Sequence, residues 1–444
     1  MRIFRFSGVP ARWNTVVAAG AVSLAGLGVS PAWAATDIQV WYSLPSHNEA
    51  VFEKLVKQFN REQDNVRVSL KSFDNTTVLE TRLTAEAQAK STKLPHLVQL
   101  EDNRSPEDIA ARSYIQPLHT LLAKHPIKNA DWFVSDGNGF MRDGKGRLLA
   151  FPYMVEVPVM FYNIDAYNKA GITPAMPQRS WAGLQDQLVN LANKATRYCP
   201  ATTDEVVSIN LENLAAVNNQ FFTTQENGRK GGKAAPAFSF DTVFVRHLSL
   251  MISWVRTELM VKPELGTKAR QRFADGECAV LLSDSSNIGR FLDKNTLKFG
   301  VSGLPYYPQV TKQPGNPFLD GWAIWATSGH AKDEDTATAQ FLAWLAQPKN
   351  AAYWYQNTGY LPLTAQAFAA TDSKYYKDLG EWQSLVAAYA KPPSSTTRSF
   401  RIKNYPKIRA MFDLTLERAL SGEQPAVPAL KSASAKASKL MAEK

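Results

Sequence analysis

The stretch Phe151-Pro152-Tyr153-Met154-Val155-Glu156-Val157-Pro158-Val159-Met160-Phe161-Tyr162-Asn163 limits the fold more than any other part of the chain. It is extended and apolar, which suits a strand, yet Pro152 and Pro158 each remove a ladder donor and fix φ. The segment is therefore expected to pair for part of its length and then cross from one sheet into another. Clefts between two domains are where small molecules bind, and Tyr153, Glu156 or Tyr162 would supply polar groups in an apolar wall. An ordinary buried strand of one larger sheet is the other reading of the same residues.

At the N-terminus, Arg2, Arg5 and Arg12 precede an apolar run from about Val16 to Val29, followed by Ala32-Trp33-Ala34. This order of charged, apolar and small residues reads as a secretory signal peptide over residues 1–34, leaving a soluble exported chain without a lipid anchor. No other run approaches the ~20 apolar residues of a membrane span. Removing the three arginines lowers the formal net charge from +10 to +7. That excess is spread along the chain without the clustered basic stripe of a nucleic-acid-binding protein. The remaining ~410 residues make two domains the default. In an exported chain the two cysteines, Cys199 and Cys278, are expected to form one disulfide. The six histidines are scattered, with no close pair and third ligand, so neither a metal nor a cofactor is expected.

From Asp37 the pattern alternates. Ile38–Tyr42 reads as a strand, Ser46 as the cap of a helix with Phe52, Leu55, Val56 and Phe59 on one face, and Val66, Val68 and Leu70 as a second strand. A helix over about 77–89 leads to a third strand at 96–100. This βαβαβ order implies a parallel sheet with helices on both faces, and ligands beyond the strands' carboxyl ends, at Tyr42, Ser43 and Glu101. Later, Ser285 in Ser283–Asn287 opens a helix whose free amides suit an anion, simple capping being the plainer reading. In Asp320-Gly321-Trp322 the glycine admits a close backbone approach and Trp322 offers a flat face for stacking. Residues 303–308 and 358–362 read as two further crossings. The polar segment Asn218–Phe240 reads as a surface excursion, and the Ala/Lys/Ser-rich tail as an exposed amphipathic helix.

The signal peptide, βαβαβ, the crossing at Phe151, Trp181 after a proline loop, Phe273…Gly276…Ala279, Leu304-Pro305, Asp320-Gly321 and Thr358-Gly359-Tyr360-Leu361-Pro362 together resemble a known family. It is that of the ABC-transporter extracellular solute-binding proteins of the maltose-binding superfamily, and in particular its glycerol-3-phosphate-binding branch. The resemblance spans nearly the whole chain after residue 34 and is most specific at Thr358–Pro362, Pro392-Pro393 and Arg401. It implies an α/β, two-lobed periplasmic-binding-protein fold of type II, its lobes joined by three crossings around a cleft. Lobe 1 would comprise residues 35–150 plus 306–358, and lobe 2 residues 151–305 plus 359–444. It further implies a periplasmic monomer, not an enzyme, that captures glycerol 3-phosphate, a glycerophosphodiester or a sugar and delivers it to the membrane permease of an ABC importer.

By the same resemblance Glu101, Gly321, Tyr360 and Arg401 fall on ligand contacts, and Ser285 lies at or beside a family serine. Tyr42, Glu156, Asp320 and Trp322 complete the expected set. The chain departs from the branch at Thr76, Val155, Glu156 and Ser208, where aromatic or serine residues are the pattern. The additional acids Glu156 and Asp320 would oppose a phosphate dianion and favour a cationic head group or a neutral sugar. A secreted hydrolase is the rival class. Glu101 with Glu156 could serve as a glycosidase pair, but the chain has no Gly-x-Ser-x-Gly elbow, HExxH or P-loop.

Overall fold

Two sheets share the strands of the computed structural model, which describes residues 35–89, 94–101, 104–128, 130–231, 235–263 and 268–443. The expected signal peptide lies outside the described residues. In chain order the strands are β1 (Thr36–Tyr42), β2 (Val66–Ser72), β3 (Leu97–Leu100), β4 (Ile115–Gln116), β5 (Phe151–Glu156), β6 (Pro158–Asn163), β7 (Ala201–Thr203), β8 (Val280–Asp284), β9 (Phe299–Ser302) and β10 (Asp320–Thr327). The first sheet runs β2-β1-β3-β10-β4 with β5 also on β10, and the second runs β7-β8-β6-β9. β1 is parallel to both β2 and β3, as the alternating pattern at the start of the chain requires. Phe52, Leu55, Val56 and Phe59 of the helix Ser46–Glu62 are buried against this sheet.

The run Phe151–Asn163 changes sheets at Val157. On one side β5 pairs antiparallel with β10, Glu156 opposite Asp320. On the other β6 pairs antiparallel with β8, Pro158 opposite Asp284. Every residue of β5 and β6 is buried, and each large apolar side chain among them contributes about 1.5–3 kcal/mol through burial. The backbone stays satisfied through the turnover. Val155 O accepts from Leu361 N at 2.7 Å, and Val157 O from Ser285 N at 2.9 Å.

Cys199 and Cys278 are joined by a disulfide, which ties the approach to β7 to the approach to β8. Trp181 is a packing anchor, buried against His247 and Trp254. Two expectations give way. The segment Asn218–Phe240 is no simple surface excursion, because Phe222, Phe238 and Asn227 are buried. Asn227 satisfies the local backbone itself, accepting from Phe222 N through Oδ1 at 2.7 Å and from Arg401 N through its carbonyl at 2.8 Å. The tail helix Ala426–Ala442 is half covered, packing Ala429, Leu430, Ala433 and Ala437 against the helix Tyr405–Leu420. No helix among the described residues is long and apolar enough to cross a membrane.

Candidate binding site

A cleft of about 710 Å³ opens where β3 ends and β10 begins. Gln99, Leu100 and Glu101 reach it from β3 and Asp320 from β10, so the carboxyl end of a parallel strand does face the cavity. The helix Thr76–Gln88 forms one wall, started by Asn75, whose side chain accepts from Val78 N at 2.9 Å. Glu212, Tyr405 and Arg409 form the opposite wall, and Arg104 lies between.

Glu212 is the electrostatic centre of this cleft. It closes the π-helical turn Ser208–Glu212, all five residues of which are buried, and such turns recur at functional sites. Asn213 fixes the turn, donating to Ser208 Oγ at 3.0 Å and accepting from Phe318 N at 2.7 Å. Glu212 Oε1 accepts from the Tyr405 hydroxyl and lies 3.4 Å from Arg409 Nε. Glu212 Oε2 lies 3.5 Å from Arg104 Nη2, which is also 3.5 Å from Asp320 Oδ2. The Arg104 side chain is 5% exposed, donates from Nη1 to Leu319 O at 2.9 Å, and lies over the Phe400 ring at 4.2 Å. Burial works against the Arg409 charge, but Glu212, Glu205 and Asp320 outweigh it and hold the guanidinium ionised. Burial, followed by Glu212, pushes the Tyr405 phenol far up, so it stays a neutral donor.

A second group of carboxylates sits behind the cleft at the sheet change. Burial pushes Glu156 well above the usual carboxylate range, with Ser286 opposing that shift and Asp320 adding to it. Asp284 is pushed well up by burial and then by Glu205 and Glu156. Asp204 is pushed up to about 7 by burial and Glu205, although Arg270 Nε lies 2.7 Å away.

Of the expected ligand contacts, Glu101 and Asp320 line the cleft. Glu156 is the cross-strand partner of Asp320 in the β5–β10 ladder. Gly321 adopts φ +101, and a Cβ there would come within 2.2 Å of Met154 O, so the close approach it permits is to β5. Tyr42 is buried beside Phe52 and donates to Glu49 at 3.1 Å. Trp322 packs against the core of the first sheet, and Tyr360 stacks on Trp354 at 5.5 Å. Ser285 Oγ accepts from Val157 N at 3.3 Å, which makes it a brace of the crossing. Arg401 directs Nη2 to the carbonyls of Gly139 at 2.6 Å and Arg142 at 3.3 Å, outside the cleft lining. Arg104, Glu212, Tyr405 and Arg409 were not singled out from sequence. The available signal was Glu212, the one charged residue in the run Val206–Val217, since a buried charge demands partners.

The histidines are less scattered than their spacing suggests. His96 and His330 stack at 4.1 Å, and together with Glu334 offer ligand atoms all within 4.8 Å of one another. His96 Nδ1 accepts from Gln39 N at 3.0 Å, which leaves the neutral ring's proton on Nε2, the atom that a metal would need bare. The group therefore reads as a packed hydrogen-bonding pair at the far end of β3.

A family profile of bacterial extracellular solute-binding proteins matches residues 54–381. The chain belongs to that family. The sn-glycerol-3-phosphate-binding periplasmic protein UgpB of Escherichia coli strain K12 is 28% identical to this solute-binding protein over 433 residues, 95% of this chain and 96% of the relative. The protein of the same name from Agrobacterium fabrum is 28% identical over 415 residues, 93% and 94% of the two chains. Both relatives are named as periplasmic binding proteins. UgpB from Mycobacterium tuberculosis in complex with glycerophosphocholine superposes with a TM-score of 0.68 at 17% identity, covering 92% of this chain and 99% of that one. Maltose-bound T. maritima MalE3 gives 0.72 at 16% identity, covering 91% and 100%. These likenesses establish the two-lobed periplasmic-binding-protein fold for this solute-binding protein.

Proposed function

We propose that this solute-binding protein captures sn-glycerol 3-phosphate or a related glycerophosphodiester and delivers it to the membrane permease of an ABC importer. Residues 1–34 act as the export signal, and the chain binds without turnover. The observation that carries the reading is the pair of guanidiniums, Arg104 and Arg409, lining one cleft on either side of the buried Glu212. Arginine presents a planar fork of donors matched to phosphate oxygens, and such charge-assisted contacts are strong in a partly dry site. The acids that would oppose an anion are weakened as opponents. Glu156 and Asp284 are pushed up by burial, so they hold protons more readily than free carboxyls. The names of the curated relatives support the same ligand class.

A sugar is the second reading, favoured by Glu101 and Asp320 in the cleft as acceptors for hydroxyl groups. Titration calorimetry with sn-glycerol 3-phosphate and with maltose separates the two. Arg104→Lys and Arg409→Ala should each weaken binding of the phosphate by about 2–5 kcal/mol, as expected for a desolvated charge pair. Arg401→Ala should cost below about 1 kcal/mol. Tight maltose binding with no phosphate binding would sink the proposal. Loss confined to Arg401→Ala would move the phosphate to the place that family resemblance suggested.

A further inference from the structure

The cleft is larger than glycerol 3-phosphate requires. That solute has about ten non-hydrogen atoms, whereas a cavity of about 710 Å³ lies well inside the ~300–1,000 Å³ range that buries drug-sized ligands. The wall that the two arginines leave free is the helix Thr76–Gln88, which turns Thr77, Glu80, Thr81, Thr84 and Gln88 toward the cavity. Their spacing places them on one helix face, spanning about 16 Å from Thr77 to Gln88. The helix is anchored by Leu79 and Leu83, its buried residues. Threonine is among the poorer helix formers, so this face is not explained by helix stability.

The chemistry of that face is neutral and rich in hydrogen-bonding groups. Thr81 Oγ1 donates its proton to Thr77 O at 2.8 Å, which leaves its lone pairs to accept. The Thr77 and Thr84 hydroxyls make no hydrogen bond within the protein among the described residues. Glu80 is neutralised by Arg112 at 2.6 Å. Among the described residues Tyr405 is the one aromatic side chain lining the cleft, and its hydroxyl is engaged by Glu212. A quaternary ammonium is recognised by several ring faces, which this wall does not offer.

We propose that the cleft is shaped for a glycerophosphodiester whose second alcohol is a neutral polyol. The phosphodiester meets Arg104 and Arg409, and the polyol hydroxyls meet Thr77, Thr81, Thr84 and Gln88. This rests on the phosphate reading above and narrows its substrate class.

Calorimetry on the full chain with glycerol 3-phosphate, glycerophosphoinositol and glycerophosphocholine tests it. Glycerophosphoinositol should bind about tenfold more tightly than glycerophosphocholine, the effect of one or two additional satisfied hydrogen bonds. The double variant Thr81→Val, Thr84→Val should lose about that factor for glycerophosphoinositol and leave glycerol 3-phosphate within about twofold. Thr84→Ser, which keeps a hydroxyl, should retain most of the affinity. Equal affinities for the two diesters, tighter binding of the choline ester, or equal weakening of all probes by the double variant would overturn the polyol assignment while leaving the phosphate reading intact. Failure of every phosphate probe to bind would overturn both.

Discussion

Asp204 shows how far a single residue here departs from its behaviour in water. Its side chain is 3% exposed, and its carboxyl titrates near 7 despite the adjacent Arg270. The folded chain therefore holds a proton that the unfolded chain has already released. The stability that this carboxyl contributes falls as pH rises from about 4, where a free aspartate titrates, to about 7. Asp204→Asn removes that proton uptake, so its melting temperature should gain on the wild type across this window. Parallel curves for the two proteins would refute the buried titration. Residues of this kind were poorly legible in the sequence. Glu101 could be placed by the rule for strand ends and Asp320 by its place beside Gly321, but Arg104, Glu212, Tyr405 and Arg409 come from separated stretches and meet through tertiary packing alone. Arg401 lies outside the residues that line the cleft, donating to the carbonyls of Gly139 and Arg142.

Elements were read more easily, because hydrophobic period and proline placement are local signals. β1, β2 and β3 and the intervening helices appear where alternation placed them, and the proline-bracketed run does change sheets. Burial in the Asn218–Phe240 segment was missed because side-chain amides there satisfy the backbone in place of a ladder. The joint between β5 and β10 gives a sharp test. Gly321 and Gly329 both adopt positive φ, +101 and +93, but a Cβ at Gly329 would meet nothing within 4 Å, whereas one at Gly321 would strike Met154 O. Gly329→Ala should cost about 1–2 kcal/mol through strain alone. Gly321→Ala should cost a further 1–3 kcal/mol, since backbone must move to admit the methyl. Equal losses in denaturant titrations would mean that the close approach carries no energetic weight.

At the scale of the whole molecule, we propose that the lobe boundary of the first crossing falls at Val157, where the sheets exchange. A ligand held by the helix Thr76–Gln88 on one wall of the cleft and by Tyr405 and Arg409 on the other should favour a closed arrangement by its differential affinity for it. Small-angle scattering with saturating sn-glycerol 3-phosphate should therefore show a smaller radius of gyration than the free protein, and an unchanged radius would count against closure. Val157 also limits what kind of motion this is. One residue separates a strand hydrogen-bonded into one sheet from a strand hydrogen-bonded into the other, so it works as a pivot pin and not as a tether. The halves should then swing about it without drifting apart or sliding, so solute capture should track how often the cleft stands open.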